Sequence, residues 1–321
     1  MSDSRVSKTR LYSPLKREKK GTKTTSGWFG TTAPPVLADA AAKRTTPLHK
    51  AAIRGDEQQI ERLLHTGGTD RDTDTHINER NRSGETAFFV AAAAGQNMAV
   101  ALLHRLGANI HTPNHKGMTP VYAAAARNLS DTILSLHYLG CDVSAPSGDG
   151  ATPLYIACQQ GHLSSLETLV QLGADINAPN QQGMTPLFIA AHSGHQHIVQ
   201  ALLQHGAYVN QPDEHGATPV YVASCRGHTD VLRSLVSGGG NVSTPNEQGV
   251  TPVHVASNEG HAAVLRLLFR RQAGADFTKN DHFGRTPLQL AQEGGHSEAA
   301  DVLLQIQARR KVCGNSPFQL W

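Results

Sequence analysis

The sequence predicts an all-α solenoid of stacked helix-turn-helix repeats joined by β-turn or hairpin loops. Three observations carry this: a 33-residue period, a Thr-Pro pair opening each copy, and glycines at three fixed places within it. Thr-Pro recurs at Thr119, Thr152, Thr185, Thr218 and Thr251 in steps of 33, and Thr86-Ala87 lies another 33 earlier. Thr46-Pro47 and Thr286-Pro287 flank the series at steps of 40 and 35, which makes eight copies. A fixed period of this length means one supersecondary unit repeated along a stack.

Each element of the unit follows from local chemistry. In the fifth copy, the Thr185 hydroxyl suits an N-cap, where it accepts from a free amide of the first turn. Pro186 suits the next position, which needs no N–H. Leu187, Ala190 and Ala191 give a short first helix with a small apolar face. Gly194 ends it and His195 starts the return. Ile198, Val199, Leu202 and Leu203 then form a stripe along a second helix, and Gly206 turns the chain out of it. Three such glycine positions recur: Gly84 to Gly284 ahead of Thr, Gly55 to Gly295 ahead of the return, and Gly67 to Gly274 after the second helix. Together they take 21 of the 30 glycines.

These strings, T-P-L-x-x-A, G-H, L-L and G-A-D-[IV]-N, resemble the ankyrin repeat. Thr46-Pro47-Leu48-His49-Lys50-Ala51 and Thr251-Pro252-Val253-His254-Val255-Ala256 come closest to its T-P-L-H-x-A signature. The resemblance covers about residues 45–310, between a tail at 1–44 and a short segment at 311–321. Departures are local. Tyr122, Tyr155, Phe188 and Tyr221 replace the signature His, Asn128-Leu129 replaces Gly-His, and Ala87-Phe88 replaces Pro-Leu. The ladder of aromatics at the signature position serves inter-repeat packing or adds to a binding groove.

A repeat can bury its apolar stripe only against neighbours, so stability is close to a sum over repeats and interfaces. Layers spaced ~8–10 Å would stack to a length on the order of 70 Å. The end copies are polar, as caps should be: Arg54-Gly55-Asp56-Glu57-Gln58-Gln59 in the first and Gln305-Ile306-Gln307-Ala308-Arg309-Arg310 in the last. About seven extra residues lie around Thr69–Glu79 and two near Arg271-Gln272. Such insertions are tolerated surface loops or lie near binding faces.

Composition excludes several functions. No apolar run reaches the ~18 residues of a membrane span. The N-terminus lacks the apolar stretch of a secretory signal. Four separated cysteines, with no C-x-x-C, read as reduced thiols, so a cytoplasmic or nuclear protein is expected. No phosphate-loop string occurs. His162, His195, His228, His261 and His296 fill one slot per layer, too far apart to share an ion, and brace or cap adjacent turns. His192, His195 and His197 stand closer together without a completing Cys or carboxylate. No metal or cofactor is expected, and no constellation resembles an active site.

By the resemblance, partners meet an inner concave face made of loop tips and the exposed side of each first helix. The positions this implies are Arg82, Lys116, Met118, Arg127, Gln159, Gln160, Gln181, Gln182, Met184, His192, Glu214, Arg226, Glu247, Glu259, Asp281 and Glu293. With Glu85, Asp149 and Arg285 included, formal charge runs from +2 in repeats 2–3 through −1 to −3 in repeats 6–8. That gradient either orients an extended partner or is random surface charge. The resemblance further implies possible asparagine hydroxylation at Asn177 and Asn210.

Net charge is +3, but residues 1–44 hold ten Lys/Arg against three acids, so the remaining 277 residues carry −4. The tail, with Lys16-Arg17-Glu18-Lys19-Lys20, cannot bury a core and is expected to be disordered. It could serve as an import signal, an anionic-membrane tether or a nucleic-acid arm, and Ser13-Pro14 fits a proline-directed phosphorylation site. The leading expectation is therefore a monomeric, non-enzymatic scaffold or adaptor for a protein partner. The alternative is a tether in which residues 1–44 bind nucleic acid or membrane while the repeats hold cargo.

Overall fold

The computed structural model describes residues 45–65, 77–270 and 274–313, with side chains described to residue 309. The tail with Ser13, residues 66–76 with most of the insertion around Thr69–Glu79, Arg271-Gln272 and residues 314–321 lie outside the described residues. The repeats fall within one compact unit, residues 34–321.

Sixteen helices run in eight pairs, with no strand among the described residues. The first helix of each pair is α1 (Pro47–Arg54), α3 (Ala87–Ala94), α5 (Pro120–Ala125), α7 (Pro153–Gln160), α9 (Pro186–Ser193), α11 (Pro219–Arg226), α13 (Pro252–Asn258) and α15 (Pro287–Glu293). The second is α2 (Glu57–His65), α4 (Asn97–Arg105), α6 (Ser130–Tyr138), α8 (Leu163–Gln171), α10 (Gln196–Gln204), α12 (Thr229–Ser237), α14 (Ala262–Arg270) and α16 (Ser297–Cys313). Each helix packs on its own partner and on its counterparts in the neighbouring repeats, which gives two layers.

All eight threonines are N-caps. Each has extended backbone, such as Thr185 at φ −83° and ψ 166°, and a hydroxyl accepting from the amide three residues on. Seven first helices carry proline in the first turn, the exception being Ala87. Of the 21 placed glycines, the 20 described ones have positive φ. At the turn between paired helices this conformation is required: the Gly161 amide, at φ 76°, caps the Ala157 and Cys158 carbonyls.

The single small apolar face expected for the first helix is too narrow. In α9 every residue from Pro186 to His192 is buried, and in α3 every residue from Ala87 to Ala93. These helices are enclosed by the neighbouring repeats on two sides and their own second helix on a third. The second helices keep one buried stripe, Ile198, Val199, Ala201 and Leu202 in α10, with Leu203 only half-buried. Burying each such large aliphatic side chain contributes roughly 1.5–3 kcal/mol.

The signature position explains the aromatic ladder. His49 and His254, near the two ends, touch their own cap: Nδ1 lies 2.7 Å from the Thr46 hydroxyl and 2.8 Å from that of Thr251. His49 Nε2 also reaches the Glu85 carbonyl at 2.9 Å, tying repeat 1 to repeat 2. Between them the position holds Phe89, Tyr122, Tyr155, Phe188 and Tyr221, all buried at 7% exposure or less. Packing between repeats is therefore their role, and Phe89 extends the ladder by one rung.

Candidate functional site

The loops ahead of each first helix are built by one small polar residue. The Oδ1 atoms of Asn81, Asn114, Asn180, Asp213, Asn246 and Asp281 each accept from the amides two and four residues on, as at 3.0 Å from both Gln182 and Met184 to Asn180. Ser147 fills the same place in repeat 4, with its hydroxyl donating to the Ala151 carbonyl. Sequence reasoning missed this residue, although the signal was there. A short polar side chain stands five residues before every cap Thr from Thr86 to Thr286.

The tips of these loops are also joined to one another. The amides of His115, Gly148, Gln181, Glu214, Glu247 and His282 donate to the carbonyls of Ser83, Lys116, Asp149, Gln182, His215 and Gln248, at 2.9–3.1 Å. A continuous row of backbone hydrogen bonds thus runs from repeat 2 to repeat 8. The tip side chains project from a backbone that is already paired, so they form an ordered row of groups.

Twelve of the sixteen expected contact positions have exposed or partly exposed side chains, at the loop tips or the C-terminal ends of the first helices: Arg82, Lys116, Arg127, Gln159, Gln160, Gln181, Gln182, Glu214, Arg226, Glu247, Glu259 and Glu293. Met118, Met184, His192 and Asp281 are buried, at 7%, 6%, 7% and 5% exposure, and are not open contact groups. The methionines precede the N-cap threonine, where the chain turns inward; Glu85, Ala151 and Ala217 are buried at the same position. Asp281 is the loop-building residue of repeat 8, and its second oxygen takes Arg285 Nε and Nη2 at 2.9 and 2.8 Å. Glu85, counted in the gradient, is buried and accepts from Asn81 Nδ2 at 2.8 Å.

With these four groups and Glu85 buried, the exposed charge pattern is sharper. The exposed positions in repeats 2–3 are Arg82, Lys116 and Arg127, all cationic. Repeats 6–8 expose Glu214, Glu247, Glu259 and Glu293 against Arg226. The Arg226 guanidinium is fixed by His192, whose Nε2 lies 3.0 Å from Nε and 2.6 Å from Nη2. Burial, then the charges of Arg226 and His228, push His192 down to about 4, so it is neutral at pH 7.

The post-glycine histidines brace rather than cap. His162, His195 and His228 make no capping bond at their own helices, and their Nε2 atoms, with that of His261, meet carbonyls 36 residues earlier at 2.9–3.2 Å. His195 and His197 stand edge to face at 6.1 Å, but their Nε2 atoms serve different carbonyls, Gln159 and Gly161. Among the described residues no group of three His, Cys, Asp or Glu could hold a metal ion. Cys158 is fully buried and its thiol is raised, while burial first holds both Cys141 and Cys225 up at about 11. None of these is a nucleophile at neutral pH.

Asn177 and Asn210, the expected hydroxylation positions, turn their amide oxygens to the Tyr208 and Asn241 amides of the next repeat, at 2.8 and 2.7 Å. Asn78 makes the same bond to Asn109 at 2.8 Å. No described helix is long and apolar enough to cross a membrane. A family profile described as ankyrin repeats (three copies) matches residues 33–114, 100–180, 121–213, 173–246, 209–281 and 239–312. Among the curated proteins nothing matches.

Proposed function

The chain belongs to the ankyrin-repeat family, whose members are in general protein-interaction modules, and from that premise we propose that it is a non-enzymatic scaffold or adaptor. An extended segment of a protein partner lies along the loop tips and first-helix ends. The observation that carries this reading is the paired row of loop tips, which presents cations in repeats 2–3 and carboxylates in repeats 6–8 on a fixed backbone. Charges so ordered set register and association rate more than affinity. The partner's acidic end then faces repeat 2 and its basic end repeat 8.

The test is a pull-down with the full chain, followed by binding kinetics on the partner recovered. Changing Glu247, Glu259 and Glu293 together to Lys should slow association about tenfold or more at low salt. The same reversal of Asp131, exposed on the outer helix α6, should leave it unchanged. Equal binding by the groove triple variant sinks the proposal.

A further inference from the structure

We propose that the junctions of repeats 4–5 and 5–6 form an acid-sensitive seam, held only while His192, His195 and His228 are neutral. His192 Nε2 accepts both Arg226 Nε and Nη2, so a proton there would replace an acceptor with a donor facing a guanidinium and break both bonds. His228 Nε2 donates to the His192 carbonyl at 3.1 Å, and His195 Nε2 to the Gln159 carbonyl at 3.0 Å. Their remaining basic atom is Nδ1, and it is packed against the glycine of the repeat before. A Cβ on Gly161 would lie 2.9 Å from His195 Nδ1, and one on Gly194 3.0 Å from His228 Nδ1. A glycine Cα offers a new N–H no acceptor.

The surrounding charges act the same way. The groups facing the three imidazoles, besides one another, are His162 ahead of α8, His197 in α10, Arg226 in α11, and His261 ahead of α14. Carboxylates on these and the adjoining elements are Glu167 in α8, which meets His205, Asp230 in the first turn of α12, and Glu259 after α13, whose charge bears on Cys225. Burial first lowers all three imidazoles; the hydrogen bonds to the Gln159 and His192 carbonyls oppose it at His195 and His228, and the Arg226 charge adds to it at His192 and His228. For a base lowered on folding, the stabilisation is complete above the ordinary pKa of ~6.5 and is lost as pH falls through the lowered values. His192, at about 4, yields last.

The chain itself holds a version of the same joint that does not titrate. In repeat 2 the equivalent residue is Gln96, whose Nε2 donates to the Ile53 carbonyl at 3.2 Å. The double variant His195→Gln/His228→Gln therefore keeps the bond and removes the proton site. In the full wild-type chain, amide exchange of α9–α12, corrected for intrinsic rate, should rise about tenfold more than that of α3–α6 between pH 7.5 and 4.5. In the double variant that excess should fall several-fold, leaving only what His192 contributes. Should it not fold at pH 7.5, His228→Gln alone is read out the same way and should at least halve the excess. Uniform exchange in the wild type, or an excess unchanged in the variant, overturns the seam.

Discussion

Repeats 3 and 4 solve one turn with different residues. In repeat 4 the turn is Gly161-His162: the glycine takes φ 76° without penalty, and the ring reaches back to the Ala126 carbonyl at 3.2 Å. In repeat 3 it is Asn128-Leu129. Asn128, at φ 60°, is the only described non-glycine residue with positive φ, and α5 ends at Ala125, six residues long. Leu129 fills the space over Gly95 but has no polar atom to offer. Asn128 compensates forward, its Oδ1 accepting from the Ser165 amide at 3.2 Å. The turn makes two separable demands, a left-handed backbone and a filler for the void of the preceding glycine, and the inter-repeat hydrogen bond is an addition to both.

The sharpest way to separate those demands is to place a methyl group on glycines that differ in only one of them. Gly194 has φ 80° and a Cβ there would lie 2.8 Å from His228 Cε1, whereas Gly107 has φ 92° and nothing within 4 Å. Gly194→Ala should cost about 3 kcal/mol, backbone strain plus a displaced ring. Gly107→Ala should cost about 1 kcal/mol, the strain alone. Urea unfolding measures both, and equal losses would show that the ring simply moves aside.

How much of this was legible follows from the same distinction. Threonine caps, prolines and left-handed glycines answer to local backbone geometry, so they repeat with the period and could be read residue by residue. The partner of His195 could not be read, because it is a carbonyl 36 residues away with no side-chain signature. Met118 and Met184 misled because family position places them near the tips. Yet both turn inward before their cap threonine, where the loop-building Asn five residues before that threonine takes their amides. His192 was expected as a contact group and instead acts through Arg226, a bond that depends on two layers being stacked.

Loop building offers a second, smaller contrast, since two of the loops use Asp where four use Asn. Burial would raise Asp281, but hydrogen bonds from the Arg285 amide and side chain and the Phe283 amide, with the Arg285 charge, outweigh it and lower the group. Its stabilisation is present above the unfolded pKa and lost as pH falls through the lowered one. Asp213 has no arginine in the place of Arg285, where Ala217 stands, and burial raises it. Its contribution is present at low pH and lost as pH rises through the raised value. Asp281→Asn should therefore cost about 1–2 kcal/mol at pH 7, while Asp213→Asn should gain up to about 1 kcal/mol at pH 7 and nothing at pH 3. Melting curves of both at the two pH values decide it; a loss in each would mean that the carboxylate itself is needed.

The smallest effect returns to repeat 3. If the inter-repeat hydrogen bond is separable from the other two demands, Leu129→His should restore it. A ring at that position would meet the carbonyl 36 residues earlier, that of Ala93, as His162 meets Ala126. The gain should be about 0.5–1 kcal/mol, the net worth of one such bond, reduced by the apolar contact with Gly95 that leucine gives up. Asn128→Gly should be nearly neutral, because the strain relieved at φ 60° is offset by loss of the acceptor for the Ser165 amide. The two changes together test whether the demands are additive. Repeat 3 carrying Gly-His should gain the sum of the single effects, and a larger gain would show that the backbone of Asn128 holds residue 129 out of reach of its carbonyl.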